Sequence, residues 1–90
     1  MNQKPSMIVL GSTGSVGEQA IDVALQNDIP VHAICANRNV ARVEEQARRL
    51  KVSACAMADE KAAKDLKVKL ADTGIRVYAG MDGICEMIGQ

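Results

Sequence analysis

The fold of this chain is decided near its start by the stretch Ser6-Met7-Ile8-Val9-Leu10-Gly11-Ser12-Thr13-Gly14-Ser15-Val16-Gly17. Four consecutive apolar residues, Met7 to Leu10, lead into a glycine-spaced turn, and a helical pattern starts directly after it. Because these apolar residues are consecutive rather than alternating, they predict a parallel strand that is covered on both faces. The stretch therefore predicts a strand, a tight turn and a helix, in the geometry that brings a helix N-terminus to a phosphate group.

The turn carries three glycines, Gly11, Gly14 and Gly17, in the spacing G-x-x-G-x-x-G. The first allows a sharp turn, the second lets the backbone approach a pyrophosphate, and the third lets the helix pack closely on the strand. Hydroxyl groups between them are supplied by Ser12, Thr13 and Ser15. We expect Thr13 or Ser15 to cap the helix. A plain connection needs only one glycine and a cap, so the pattern favours phosphate binding over a simple turn.

Strand and helix patterns alternate along the rest of the chain. Strands are predicted over 31–36, 52–57 and 75–79, and helices over 16–26, 40–50 and 60–72, with a last short helix from residue 80. We expect Asn39 and Asp59 to cap the second and third helices. The buried stripe of the first helix is predicted to consist of Val16, Ala20, Val23 and Ala24, extended by Gly17 and Ile21.

This alternation predicts an α/β fold, with a Rossmann-like parallel sheet of four strands and four helices on both of its faces. The first strand is expected to lie at an uncovered edge of the sheet. A chain of 90 residues makes one domain at most.

A second informative segment, Ala36-Asn37-Arg38-Asn39, follows the second predicted strand. Dinucleotide-binding chains that prefer NAD usually place an acidic residue here to bind the ribose 2′-OH, whereas chains that prefer NADP supply a cation for the 2′-phosphate. The segment has no acidic residue, and the planar guanidinium of Arg38 suits a phosphate. It therefore favours NADP, against the alternative that Arg38 is an ordinary exposed loop residue.

Composition restricts the classes of function. The 11 basic and 11 acidic residues give a net charge of zero, which argues against nucleic acid or an anionic membrane as a partner. The sequence has no membrane-spanning run and no apolar stretch of a signal peptide, so we expect a cytoplasmic protein. The cysteines, Cys35, Cys55 and Cys85, are widely spaced, and we expect buried, inert thiols. His32 is expected to be a strand residue on a face of the sheet, and Tyr78 is expected to pack, so neither is expected to catalyse.

The glycine-rich stretch, with Asp22-Val23 and the segment from Ala36 to Val40, resembles the N-terminal part of 1-deoxy-D-xylulose 5-phosphate reductoisomerases. The sequence motif Gly-Ser-Thr-Gly-Ser-Val-Gly is close to specific for that family. The resemblance implies an NADPH-dependent oxidoreductase of non-mevalonate isoprenoid synthesis, which converts 1-deoxy-D-xylulose 5-phosphate to 2-C-methyl-D-erythritol 4-phosphate. It further implies a homodimer and a divalent metal, Mg²⁺ or Mn²⁺, that chelates the phosphorylated sugar substrate.

The resemblance also implies the cofactor contacts. The loop residues Gly11, Ser12, Thr13, Gly14, Ser15 and Val16 form one set, and Asn37, Arg38 and Asn39 form the other. The family often has Gly-Lys where this chain has Asn37-Arg38, so the cation is kept. We expect residues 1–90 to be a partial NADPH-binding domain without catalytic residues or metal ligands, and to be inactive alone.

Two other functions are compatible with the same loop. One is the NADP-binding segment of an aspartate-semialdehyde dehydrogenase or an extended short-chain dehydrogenase, which usually has Ala in place of Ser12. Such enzymes use a downstream catalytic Cys or a Tyr-x-x-x-Lys pair. The other is a non-catalytic nucleotide-binding or oligomerisation module.

Overall fold

The computed structural model describes residues 6–89, which form a four-stranded sheet and four helices. The elements are β1 (Met7–Leu10), α1 (Ser15–Gln26), β2 (Val31–Ala36), α2 (Val40–Leu50), β3 (Ala54–Met57), α3 (Glu60–Lys69), β4 (Arg76–Ala79) and α4 (Gly80–Ile88). The strands are hydrogen-bonded in the order β1-β2-β3-β4, and each neighbouring pair is parallel. This topology confirms the predicted α/β, Rossmann-like fold.

Two element bounds differ from the prediction by more than one residue. The third strand begins at Ala54 rather than at residue 52, because the Val52 N–H still bonds the Ala47 carbonyl (3.4 Å) in the turn that ends α2. The third helix ends at Lys69 rather than at residue 72. There the Thr73 N–H donates to the Leu70 carbonyl at 3.0 Å, and the chain leaves this turn through Gly74 with a φ of +76°.

The predicted caps of α2 and α3 are confirmed. The Asn39 side chain accepts a hydrogen bond from the Arg42 N–H at 3.2 Å. The Asp59 carboxylate accepts one from the Ala62 N–H at 2.9 Å. Each cap satisfies a backbone donor that has no partner within its own helix.

Helices cover both faces of the sheet, but unequally. One face packs β1, β2 and β3 against α1, α2 and α3, around residues such as Ile34, Cys55 and Leu66. Among the described elements, the other face packs only α4, whose Met87 is 2 % exposed, against small side chains. These small side chains belong to Ala33, Cys35, Ala54 and Ala56.

The predicted stripe of α1 was partly wrong. Val16 is 80 % exposed and Val23 is 51 % exposed, whereas Gly17, Ile21 and Ala24 are buried. The hydrophobic spacing allows either set to face the sheet. The observed orientation of α1 is the one that buries Gly17, because Gly17 packs against the backbone of Gly11. Val16 consequently faces outward.

β1 lies at one edge of the described sheet, as predicted. Its register pairs Ile8 with Ala33 and Leu10 with Cys35, which places both β1 side chains on the face of α4. They remain 38 % and 59 % exposed, respectively, so the prediction that β1 is covered on both faces was wrong for this face within residues 6–89. None of the helices within residues 6–89 has the length and hydropathy needed to cross a membrane.

Candidate functional site

The two predicted loops meet at one edge of the sheet. They follow β1 and β2, which are neighbouring parallel strands, so both leave the carboxyl edge. The Ser12 N–H donates to the Cys35 carbonyl at 2.9 Å, which ties the first loop to the end of β2. The carboxyl edge of an open α/β sheet is where such folds bind ligands.

The first loop is a tight turn from Gly11 to Gly14. The Gly14 N–H donates to the Gly11 carbonyl at 3.0 Å, and Gly11 has a φ of +68°, a conformation that side chains disfavour. At Gly17 the constraint is space, because a Cβ there would lie 2.1 Å from the Gly11 oxygen. The first and third glycines are therefore required by geometry, as the sequence predicted.

No side chain of the described residues caps the start of α1, so the prediction of a cap from Thr13 or Ser15 was wrong. Gly14 occupies the N-cap position, and Ser15 is the first residue of the helix. The N–H groups of the first turn have no acceptor within a helix. Because no side chain takes the place of that acceptor, the first turn of α1 offers its donors, and the positive end of its dipole, to an external anion.

The acidic residue of the first turn does not oppose this role. Glu18 forms an ion pair with Arg42 of α2, and Arg42 also bonds Glu45. These contacts raise the pKa of Arg42, first through the hydrogen bond to Glu18. The carboxylate of Glu18 is thus neutralised by a cation, which reduces its repulsion of a bound phosphate.

The three hydroxyl residues of the loop differ in exposure. Ser15 is exposed and Thr13 is half-buried, whereas Ser12 is fully buried. The Ser12 hydroxyl has no hydrogen-bond partner among the described residues. Its expected role as a hydroxyl donor to phosphate is therefore corrected, because the side chain faces the interior.

The second loop presents Asn37, Arg38 and Asn39 at the surface. Asn39 is used as the cap of α2. Within residues 6–89 the Arg38 guanidinium has no ion-pair partner, whereas Arg42 and Arg48 are both paired. Arg38 lines an open cavity of about 420 Å³ together with Val40, Asp59, Lys61, Ala62 and Asp65.

Asp59 is an acidic residue whose backbone contacts this segment. Its N–H donates to the Asn37 carbonyl at 3.0 Å, which joins the loop after β3 to the loop after β2. Its carboxylate is occupied by the cap of α3. The loop after β2 thus combines a cation that has no ion-pair partner among the described residues with a nearby carboxylate that already has a backbone donor.

The remaining reactive groups are the three cysteines and His32. In the described part of the chain, no three His, Cys, Asp or Glu side chains are grouped so as to hold a metal ion. Cys35 and Cys55 are buried, as expected, and burial raises the pKa of Cys55 to about 12. Cys85 is exposed, which corrects the expectation of three buried thiols. His32 is an exposed residue of β2.

Sequence reasoning missed one residue, Gln46 of α2. It is 3 % exposed, and its amide Nε2 donates to the Ser12 carbonyl at 2.8 Å. The available signal was its position between Val43 and Ala47, two apolar residues at helical spacing, both of which are buried on α2. A polar residue in such a stripe indicates a buried polar contact.

Comparison with known proteins identifies the relatives of this chain. The sequence model of the family 1-deoxy-D-xylulose 5-phosphate reductoisomerase matches residues 7–90. The reductoisomerase of Desulfitobacterium hafniense DCB-2 is 40 % identical over 84 residues, which cover 91 % of this chain and 22 % of that protein. The reductoisomerase of Agathobacter rectalis is 46 % identical over 77 residues, covering 84 % and 20 %.

Solved structures agree with these sequence relatives. The reductoisomerase from Zymomonas mobilis, in complex with NADPH, superposes with a TM-score of 0.86 at 34 % identity, covering 93 % of this chain and 23 % of that one. A second reductoisomerase, in complex with NADPH, fosmidomycin and magnesium, supports the fold with a TM-score of 0.83 at 22 % identity.

The chain thus spans about a fifth of the length of the relatives that it matches. The dehydrogenase and non-catalytic alternatives are not favoured by these matches. The chain belongs to the 1-deoxy-D-xylulose 5-phosphate reductoisomerase family.

Proposed function

We propose that this chain forms the NADPH-binding part of a 1-deoxy-D-xylulose 5-phosphate reductoisomerase. The observation that carries the proposal is the bond from the Ser12 N–H to the Cys35 carbonyl. It holds the start of α1, which has no side-chain cap within residues 6–89, beside the loop whose Arg38 forms no ion pair in that range. A dinucleotide with a 2′-phosphate needs both features, one for its pyrophosphate and one for its ribose phosphate.

The pyrophosphate would be bound by the turn and the first helical residues. Backbone N–H groups of Thr13, Ser15 and Val16 supply donors, and exposed Gly14 lets the ligand approach the backbone. Gly11 and Ser12 shape the turn rather than touch the ligand through side chains.

The 2′-phosphate would be bound by Arg38, with Asn37 and the backbone of Asn39 beside it. A guanidinium forms paired, charge-assisted hydrogen bonds with a phosphate. The Asn39 side chain is already committed to Arg42, so we assign it a structural part. The cavity beside Arg38 is the place we propose for the adjoining ribose and base.

For a longer protein that carries this segment, we propose conversion of 1-deoxy-D-xylulose 5-phosphate to 2-C-methyl-D-erythritol 4-phosphate in the cytoplasm, by a homodimer. Bound NADPH supplies the hydride. We also propose Mg²⁺ or Mn²⁺ as the metal, and we assign it no ligand within residues 6–89, where no cluster of metal ligands occurs. For the same reason we expect no turnover by the 90-residue chain alone.

The cofactor proposal is tested by titrating NADPH and NADH separately into the chain by calorimetry. We expect NADPH to bind at least about tenfold more tightly, since hydrogen bonds to a charged group are worth about 1.5–3 kcal/mol. Equal affinities, or no binding of either cofactor, would overturn the proposal.

The activity is tested in a chimera. Residues 7–90 replace the matching segment of the Desulfitobacterium hafniense relative. We expect NADPH-dependent turnover with added metal by the chimera and none by the isolated chain. A folded chimera that fails to reduce the substrate, or turnover by the isolated chain, would contradict this assignment.

A further inference from the structure

The buried amide of Gln46 lies against the centre of the glycine turn. Its Nε2 donates to the Ser12 carbonyl at 2.8 Å, across 34 residues of sequence. The Ser12 N–H is bound to the Cys35 carbonyl of β2. Both backbone groups of Ser12 are therefore held by other elements, one by the sheet and one by α2.

This pair of bonds fixes the direction of the next N–H group. The peptide between Ser12 and Thr13 is planar, and all described peptides are trans, so the Thr13 N–H points opposite to the Ser12 carbonyl. The carbonyl points inward, to Gln46. The Thr13 N–H consequently points outward, and it has no acceptor among the described residues.

A packing role alone does not account for a glutamine here. Its Oε1 and the Ser12 hydroxyl are both buried and have no hydrogen-bond partner within residues 6–89, so two polar atoms are left unsatisfied near this contact. Burying an amide with an unpaired oxygen is costly, and an apolar side chain of the same size avoids that cost. The contact that Gln46 makes, and an apolar side chain cannot make, is the bond to Ser12.

α2 also contacts α1, through a residue one helical turn before Gln46. Arg42 and Gln46 are four residues apart on α2 and lie on one face of it. Arg42 pairs with Glu18 of α1, and Gln46 bonds the turn before α1. α2 thus contacts both the glycine turn (Gly11 to Gly14) and the first turn of α1, which together form the proposed anion site, called the anion cradle below.

We propose that Gln46 is a positioning residue that locks the Ser12–Thr13 peptide, so that the Thr13 N–H faces the pyrophosphate of the cofactor. The inference rests on the proposed NADPH site. It predicts a contribution to affinity shared by every ligand that carries the pyrophosphate, independent of the 2′-phosphate. In this respect Gln46 differs from Arg38, which acts on the 2′-phosphate alone.

The test compares Gln46→Met, which keeps the volume and removes the donor, with Gln26→Met, the same exchange at an exposed position of α1. We expect Gln46→Met to weaken NADPH and NADH by the same factor, about tenfold for one charge-assisted bond, and Gln26→Met to change neither. Unchanged affinities, or a loss confined to NADPH, would overturn the proposal.

Two NMR measurements test the positioning role of Gln46 independently of cofactor binding. Backbone ¹⁵N relaxation without ligand should show an ordered Thr13 amide in the unsubstituted chain and a mobile one in Gln46→Met. If that variant does not fold, slow solvent exchange of the Gln46 side-chain amide in the unsubstituted chain supports the bond, and fast exchange refutes it. A chain that binds neither cofactor but shows these NMR signatures refutes the NADPH site and keeps the positioning of the loop.

Discussion

Gly17→Ala tests whether close packing of α1 on the glycine turn is what builds the anion cradle. The new Cβ would lie 2.1 Å from the Gly11 oxygen and 2.8 Å from the Gly11 carbon, whereas ordinary van der Waals contacts begin at 3.4 Å. These neighbours are backbone atoms, so they can yield only if the turn moves by more than an ångström. Overpacking of this kind costs about 1–3 kcal/mol, and the better helix propensity of alanine returns about 1 kcal/mol.

The effect on cofactor binding should exceed the effect on folding. A binding constellation must be held to within about 0.5 Å, so a shift of this size breaks hydrogen bonds from the turn. Loss of two charge-assisted bonds at about 1.5 kcal/mol each weakens NADPH about 100-fold. Net destabilisation of the fold is expected to be only about 0–2 kcal/mol.

Gly74→Ala is the matched control. Gly74 has a φ of +76°, and no atom lies within 4 Å of the position that a Cβ would take there. Alanine at this position therefore costs about 1–2 kcal/mol of backbone strain without touching the loop. Thermal unfolding with and without NADPH compares the two. We expect NADPH to raise the Tm of Gly74→Ala and of the unsubstituted chain, but not of Gly17→Ala. Binding by Gly17→Ala within about threefold of the unsubstituted chain, or an equal loss in Gly74→Ala, would refute the reasoning.

Three further predictions concern single groups. Arg38→Ala should weaken the affinity for NADPH about tenfold or more and leave the affinity for NADH unchanged, as measured by calorimetry. Arg76→Ala is the control, since Arg76 is also exposed. Equal losses of affinity for both cofactors would contradict the 2′-phosphate role. Iodoacetamide at pH 8 should modify Cys85 alone in the native chain and all three cysteines after unfolding, because Cys35 and Cys55 are buried and burial raises the pKa of Cys55 to about 12. Labelling of Cys55 in the native chain would be inconsistent with this packing. The hydrogen bond from Arg48 lowers the pKa of Asp72, so the ionised carboxylate stabilises the fold above its unfolded pKa of about 3.9, and this stabilisation is lost as pH falls through the folded value. The difference in unfolding free energy between the unsubstituted chain and Asp72→Asn should therefore shrink towards zero on acidification. A constant difference from pH 7 to 3 would argue against this role of Asp72.

Local signals in the sequence were enough to predict most of the architecture. The consecutive apolar run from Met7 to Leu10 indicates a parallel strand, and Asn39 and Asp59 mark the starts of two helices through hydrogen bonds that involve only nearby residues. The G-x-x-G-x-x-G spacing predicted the turn, because the constraint at Gly11 is its own backbone conformation.

Features that depend on distant contacts were not predictable in the same way. The apolar pattern of α1 permits two orientations about its axis, and the contact between Gly17 and Gly11 selects the one that exposes Val16. The absence of a hydroxyl cap has a related origin, since the turn places Gly14 at the N-cap position. Gln46 lies 34 residues from its partner, and no local pattern specifies that contact.

α2 joins the two halves of the candidate site into one unit. Its N-terminus is fixed by Asn39, directly after Arg38, and its middle holds the glycine turn through Gln46. The position of Arg38 relative to the glycine turn, and so of the two proposed phosphate contacts, is therefore set by α2 as well as by the two loops. A substitution that tilts α2 should consequently weaken binding through both phosphates together, whereas one confined to Arg38 or to the turn affects only its own half.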